Sequence, residues 1–344
     1  MDIVVTGGGG FLGSSICRQL AAGGHEVTAF QRSPASHLAR YGIRSIEGDV
    51  RDSGALSTAL DGRDAVVHCA ALAGIWGDAE NYRSTNVEGT KNVIDACLDK
   101  SVAHLVYTSS PSVVLNGEDI EGGDESLPLV SEPLTPYQAS KIEAEGLVRE
   151  ASAPGLKTVV LRPHLMWGPG DPHLLPRLID RALSDRLFLP APDKKADLVF
   201  VENAARAHVQ ALQEMSATGR CAGKVYFVTN NAPQVQGEFV LRLLEAAGIR
   251  ARIRRIPPGL ARLAGSVMER AWRLFRIDSE PLLTRFTAAQ LCASHWFDGT
   301  AARRDFGYVA PISIEQGLQA LARHHESQRA LRTTQSNHPG QAHG

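Results

Sequence analysis

The stretch TPYQASK (135–141) puts Tyr137 and Lys141 four residues apart, on one face of a helix. Thr135 suits the N-cap of that helix and Pro136 its first position. An ammonium beside a phenol favours the phenolate and lowers its pKa from about 10. A tyrosine tuned in this way passes a proton to or from an alcohol oxygen near neutral pH. Ser110, in LVYTSSPSV (105–113), falls at the end of a strand, where open α/β sheets bind ligands. It can hydrogen-bond the same oxygen. The Y-x-x-x-K spacing alone also describes an exposed Tyr–Lys pair, so its meaning depends on the elements that carry it.

The chain opens MDIVVTGGGGFLG: a short β-branched run, four glycines, then a helix whose Leu12, Ile16 and Leu20 share a face. Gly7, Gly10 and Gly13, with Phe11 and Leu12 between them, form a turn that lets backbone approach a pyrophosphate at the free N–H groups of a helix start. The next strand, EVTAF (26–30), ends in Gln31, Arg32 and Ser33. An NAD site usually has an acid about 20 residues beyond the glycines, bonded to the ribose. None is present at that strand end. Arg32 matches a 2′-phosphate, with Ser33 as a second donor, so NADP(H) is expected rather than NAD(H).

Strand patterns at 2–6, 26–31, 43–48, 65–70, 104–109 and 157–162 alternate with helical ones, which predicts an α/β fold with a doubly wound parallel sheet. The expected dinucleotide domain covers residues 1–165. Residues 166–326 form mainly a smaller C-terminal substrate lobe, with strands from about 197–229 as candidates to return to the first. The polar tail 327–344 is expected to be disordered. With 36 Lys and Arg against 37 Asp and Glu, nothing points to nucleic acid. Five scattered cysteines without a C-x-x-C pair read as free thiols in a reducing compartment. No metal-ligand spacing, signal peptide or ~20-residue apolar span is found, so the expected location is cytoplasmic, without metal. His68 reads as a structural or cofactor-adjacent histidine rather than a catalytic base, and His164 and His173 as flanking an active-site loop. The acidic loop 116–126 is most simply a solvated flap. Residues 258–277 carry Leu260, Leu263, Val267, Ala271 and Leu274 on one face. The simplest placement puts that face on the core; an acyl-channel wall or docking to a membrane or partner enzyme are the alternatives.

TGGGGFLG, GDV (48–50), HCAA (68–71), TNVEGT (85–90), YTSS (107–110), YQASK (137–141) and RPHLMWGPGD (162–171) together resemble the extended short-chain dehydrogenase/reductases. RPHLMWGPGD, LTRFTAAQLCASHWF (283–297) and ARRDFGYVAPISIEQGL (302–318) are similar to their 3β-hydroxysteroid dehydrogenase branch. PSV (111–113), KVYFVTN (224–230) and PLLTRF (281–286) narrow the resemblance to bacterial 2-alkyl-3-oxoalkanoate reductases of olefin and β-lactone biosynthesis. The resemblance implies a Rossmann-type sheet and a catalytic triad of Ser110, Tyr137 and Lys141. Ser109 takes the serine's place if the register slips by one, and Asn86 lies near a proton relay. It further implies Asp49 and Val50 beside the adenine, Ala70 and Ala71 beside the ribose, and Pro163 and Leu165 beside the nicotinamide. The implied activity is NADPH-dependent reduction of a long-chain 2-alkyl-3-oxoalkanoic acid to its 3-hydroxy acid. An NAD-dependent 3β-hydroxysteroid or sterol dehydrogenase and a sugar-nucleotide epimerase are its rivals. A homodimer through helices near 84–99 and 137–152, and association with other pathway enzymes, are implied as partners.

Overall fold

The computed structural model of the protein describes residues 1–277 and 279–336. Seven strands form one parallel sheet: β1 (Asp2–Thr6), β2 (Glu26–Gln31), β3 (Arg44–Glu47), β4 (Ala65–His68), β5 (His104–Thr108), β6 (Lys157–Pro163) and β7 (Val225–Val228). Their order is β7-β6-β5-β4-β1-β2-β3. Helices α1 (Phe11–Ala22), α2 (Gly89–Asp99), α3 (Pro136–Glu150) and α4 (Val201–Ala217) cover it. Alternate side chains of a strand face opposite sides. Ile3, Val5 and Val106 pack with Ile16 of α1 and Val209 of α4, while Val4, Leu105 and Val160 pack with Val93 of α2 and Val148 of α3. All strands being parallel, their carboxyl ends share one edge. The strand order reverses between β1 and β4, which opens a crevice there.

A second lobe has its own core around Trp167, Leu178, Phe200, Phe239 and Leu243. In it, α5 (Pro258–Leu274) packs on α6 (Arg285–Cys292). The chain does not divide cleanly at residue 165. β7 joins the large sheet beside β6, and α4 packs on α1. Val199–Phe200 instead pairs with Met166–Trp167, outside the large sheet. Ala302, Phe306 and Tyr308 return to the core under α4.

Two expectations need correction. Ile120–Gly123, inside the loop read as a solvated flap, is a strand paired with His295–Phe297 in a four-stranded sheet. Asp119 accepts from the Ser294 amide and pairs with Lys194, and Glu125 accepts from the Phe227 amide, so its carboxylates are anchored. The C-terminal helix runs Ile314–Ser336, so residues 327–336 are helical rather than a disordered tail; 337–344 lie outside the described residues. The five cysteines are free. Among the described residues no helix is long and apolar enough to cross a membrane, and no group of three or more His, Cys, Asp or Glu could hold a metal ion.

Candidate active site

The residues singled out in the sequence collect along the carboxyl edge of the sheet. Gly7 follows β1 with φ 69°, a conformation that favours glycine. A Cβ on Gly13 would lie 2.1 Å from the Gly7 carbonyl oxygen, so the turn and α1 can approach this closely only without a side chain. At Gly10 a Cβ would meet only that oxygen, at 3.2 Å, leaving its outer side clear. Gly10 caps α1 with no side-chain hydrogen bond, so the amides of Phe11, Leu12 and Gly13 at the helix start have no side-chain acceptor. A clear cradle above uncapped helix amides fits a dinucleotide pyrophosphate. Ala70 and Ala71 follow β4 across the crevice, where the Ala70 amide donates to Thr6 Oγ1. Pro163 ends β6, and Leu165 follows with φ 39°, a strained non-glycine backbone beside the site.

At the adenosine end Arg32 is exposed after β2, and its charge helps hold the Asp49 carboxyl below its usual range, second to the paired Arg51. Val50 is buried, its carbonyl accepting from Asn92. Gln31 reaches back so that its Oε1 accepts from the Gly9 amide at 3.1 Å, while its amide donates to Ser45. A neutral amide thus ends β2 against the glycine turn. Only the absence of the acid was visible in the sequence.

Tyr137 lies in the first turn of α3, below the Thr135 cap, which accepts from the Gln138 amide at 3.1 Å. Ser110 caps the short turn Pro111–Val114. Burial pushes the Tyr137 phenol above 10, and hydrogen bonding from Ser110 pulls the other way. This corrects the expected lowering by Lys141. The Lys141 amine instead donates to Tyr107 Oη at 2.8 Å and to the Thr108 carbonyl at 2.6 Å. Its burial lowers the pKa to about 7, opposed by Glu145 one turn along α3. The two serines have different partners: Ser109 is buried and donates to Glu145 Oε2 at 2.6 Å.

Several positioning residues were not legible. Gln138 is buried, and its amide donates to the Ser112 and Leu115 carbonyls at 2.6 and 2.9 Å, clamping the serine turn to the start of α3. Glu145 forms a buried pair with Arg162 of β6, with bonds of 3.0 and 2.5 Å. The Asn86 side chain bonds both backbone groups of Leu72 and Ser140, pinning these segments together. His68 is buried between Thr6 and Thr90, its pKa lowered to about 3 by burial, in keeping with a structural role. His164 faces away into the second lobe against His295, and His173 is exposed.

A cleft of about 260 Å³ opens beside Pro136, next to Tyr137 in the chain, and is lined by Trp76, Trp272, Arg273, Arg276 and Ile277. Tyr82 joins the two, its hydroxyl donating to the Trp76 carbonyl and its ring meeting Tyr137 edge-on at 6.3 Å.

Residues 4–257 match the 3-beta hydroxysteroid dehydrogenase/isomerase family. The chain belongs to this family. It is an NAD(P)-dependent oxidoreductase of the short-chain dehydrogenase type, as are its relatives. It is 45% identical over 324 residues to a 2-alkyl-3-oxoalkanoate reductase of Stenotrophomonas maltophilia, covering 93% of this chain and 98% of that one. A protein of the same name from Shewanella oneidensis is 43% identical, with 92% and 84% covered. A 3-beta-hydroxysteroid dehydrogenase of Mycolicibacterium neoaurum is 31% identical, with 92% and 89% covered. Among solved structures, UDP-glucuronic acid 4-epimerase of Bacillus cereus with NAD superposes with a TM-score of 0.74 at 22% identity, covering 95% and 100%, and shares the fold. A dTDP-glucose 4,6-dehydratase of Streptomyces venezuelae with NAD bound gives 0.72 at 26% identity, covering 96% and 98%. The family's nicotinamide dinucleotide agrees with the glycine cradle of this chain.

Proposed function

We propose that this protein is an NADPH-dependent ketoreductase that converts the 3-keto group of a long-chain 2-alkyl-3-oxoalkanoic acid to the 3-hydroxyl. What supports it is Tyr137 hydrogen-bonded with Ser110, with Lys141 one turn along the same helix and bonded to the end of β5, in a chain 45% identical to a protein named for that reduction. The bound reduced cofactor supplies the hydride that C3 receives. Tyr137 Oη donates its proton to the oxygen that becomes an alkoxide, and Ser110 Oγ hydrogen-bonds the same oxygen. The raised pKa of Tyr137 keeps it protonated, the form that a reduction needs. Lys141 holds the nicotinamide ribose, Gly7, Gly10 and Gly13 admit the pyrophosphate, and Arg32 takes the 2′-phosphate. Asp49 and Val50 flank the adenine, Ala70 and Ala71 the ribose side, and Pro163 and Leu165 the nicotinamide.

Trp76, Trp272 and Ile277 offer the cleft apolar walls for an acyl chain, and its charges are Arg273 and Arg276 beside the acids Asp78 and Glu269. A homodimer through 84–99 and 137–152 belongs to the same proposal and is checked by light scattering. The deciding experiment follows cofactor oxidation with 2-alkyl-3-keto acids, 3-ketosteroids and UDP-sugars, offering NADPH and NADH. Turnover of the keto acids with NADPH is expected. Preference for a 3-ketosteroid with NADH would transfer the assignment to the steroid dehydrogenases.

A further inference from the structure

Helix α5 faces the opposite way from the simplest reading of its sequence. Its inward residues are Ala261, Gly265 and Glu269. A Cβ on Gly265 would lie 2.8 Å from the Thr284 carbonyl oxygen, so that face is set by close approach to the start of α6. Glu269 accepts from the Arg285 amide at 2.7 Å and from its Nε at 2.8 Å. The large apolar residues are therefore left outside. Leu260, Leu263, Val267 and Leu274 are 54%, 61%, 55% and 77% exposed, and Phe275 just beyond them is 71% exposed. Scattered apolar residues are ordinary on a protein surface, but a stripe along four turns of one helix marks an interaction surface.

The charges beside the stripe indicate what covers it. Glu269 is the sole acid between 258 and 277, and it is turned inward. Arg262 and Arg270 are exposed, and at 100° per residue they lie on one flank of the stripe, while Arg273 leans over Trp76 at the cleft. An apolar face bordered by arginines and lacking an outward carboxylate is complementary to an anionic lipid surface. We infer that α5 is a membrane-docking helix, lying in the headgroup layer of anionic bilayers with Leu260, Leu263, Val267 and Leu274 inserted. Trp272 and Arg273 of the same helix, and Arg276 just beyond its end, line the cleft beside Tyr137. The docking surface rests on the exposed helix alone and stands whatever the substrate proves to be.

The full chain is sedimented with vesicles of phosphatidylcholine and with vesicles that also contain phosphatidylglycerol, at low and high salt. Binding to the anionic vesicles, weakened by salt, is expected. Leu263→Glu should abolish it, and Arg262→Gln with Arg270→Gln should weaken it on the order of tenfold. These side chains are exposed and outside the cleft, so thermal melting and cofactor binding serve as folding controls and should not change. The inference is overturned if the protein ignores anionic vesicles, or if Leu263→Glu binds them as wild type does. It is equally overturned if light scattering shows an oligomer that Leu263→Glu dissociates while no vesicle binding occurs, since the stripe then belongs to a second copy.

Discussion

Two adjacent serines at the end of β5 have opposite surroundings, and the difference can be measured. Ser110→Ala should lower kcat, because its hydroxyl meets Tyr137, and cost about 0.5–2 kcal/mol of stability for the lost cap on the Ser112 amide. Ser109→Ala removes a hydrogen bond to a buried carboxylate, which costs about 1–3 kcal/mol of stability, with little effect on kcat. Urea unfolding and steady-state kinetics on both variants separate the two roles; the opposite pattern in kcat would assign the chemistry to Ser109. Tyr137→Phe should keep NADPH affinity and lose roughly 10²–10⁴-fold in turnover, the span of general acid catalysis. Lys141 gives a pH test. Its pKa falls from 10.5 to about 7 on burial, so between those values the unfolded chain binds the proton more tightly. Wild-type stability should therefore rise with pH across that window. Lys141→Met lacks this slope, so its stability relative to wild type should be best at or below pH 7 and decline toward pH 10.5. Parallel slopes in denaturation at the two ends would exclude the shift. The Tyr–Lys pair was legible because helical spacing alone puts both on one face. The lowered phenol pKa inferred from it failed because burial and the competing acceptors Tyr107 and Thr108 come from other elements.

The glycine turn and the end of β2 carry separate functions, although both meet the same cofactor. A Cβ at Gly10 meets no more than one carbonyl oxygen at 3.2 Å, so Gly10→Val should fold and yet lose both NADPH and NADH. Retained binding in fluorescence titration would mean that the pyrophosphate lies elsewhere. Arg32 is exposed, so Arg32→Asp should not disturb folding. It should weaken NADPH and spare NADH, because one charge-assisted contact is worth about 1.5–3 kcal/mol and the new carboxylate repels the 2′-phosphate. The NADPH/NADH ratio should then fall roughly tenfold to more than a hundredfold, at ~1.4 kcal/mol per decade. An unchanged ratio would return the site to NAD. The turn was readable in sequence because few residues other than glycine accept its geometry. The direction of α5 was not. Its periodicity identified which residues share a face, but the close approach of Gly265 to Thr284, far along the chain, decides which face is buried.

Across the whole molecule, the sheet was legible because most of its strands are compact apolar runs, the edge strand Arg44–Glu47 being the polar exception, whereas the closing contacts are made by polar residues distant in sequence. Asp305 is the chief of these. Its carboxylate is nearly buried and accepts from Arg304 Nε at 2.7 Å, Tyr226 Oη at 2.7 Å and Lys224 Nζ at 2.9 Å. It thereby ties the helix Thr300–Phe306 to β7, at the open edge of the large sheet, beside β6 and its site residues. Hydrogen bonding from Arg304, then from Tyr226 and Lys224, holds the carboxyl well below its ordinary value of 3.8. A depressed folded pKa means that the stabilisation is complete above 3.8 and is lost as pH falls below it, where the unfolded chain takes up the proton first. Asp305→Asn keeps the shape and removes the charge. Lys224 and Arg304 are half or more exposed and can return to water, so the cost should be about 1–2 kcal/mol near neutrality, less than for a fully buried pair. The gap from wild type should close as the solution is made more acidic than pH 3.8. Urea midpoints measured down the acid arm test both statements, with kcat as a control that should not move. A variant as stable as wild type at neutral pH would show that the C-terminal return is held by Ala302, Phe306 and Tyr308 in the apolar core, and that the ion cluster contributes nothing to closing the sheet edge.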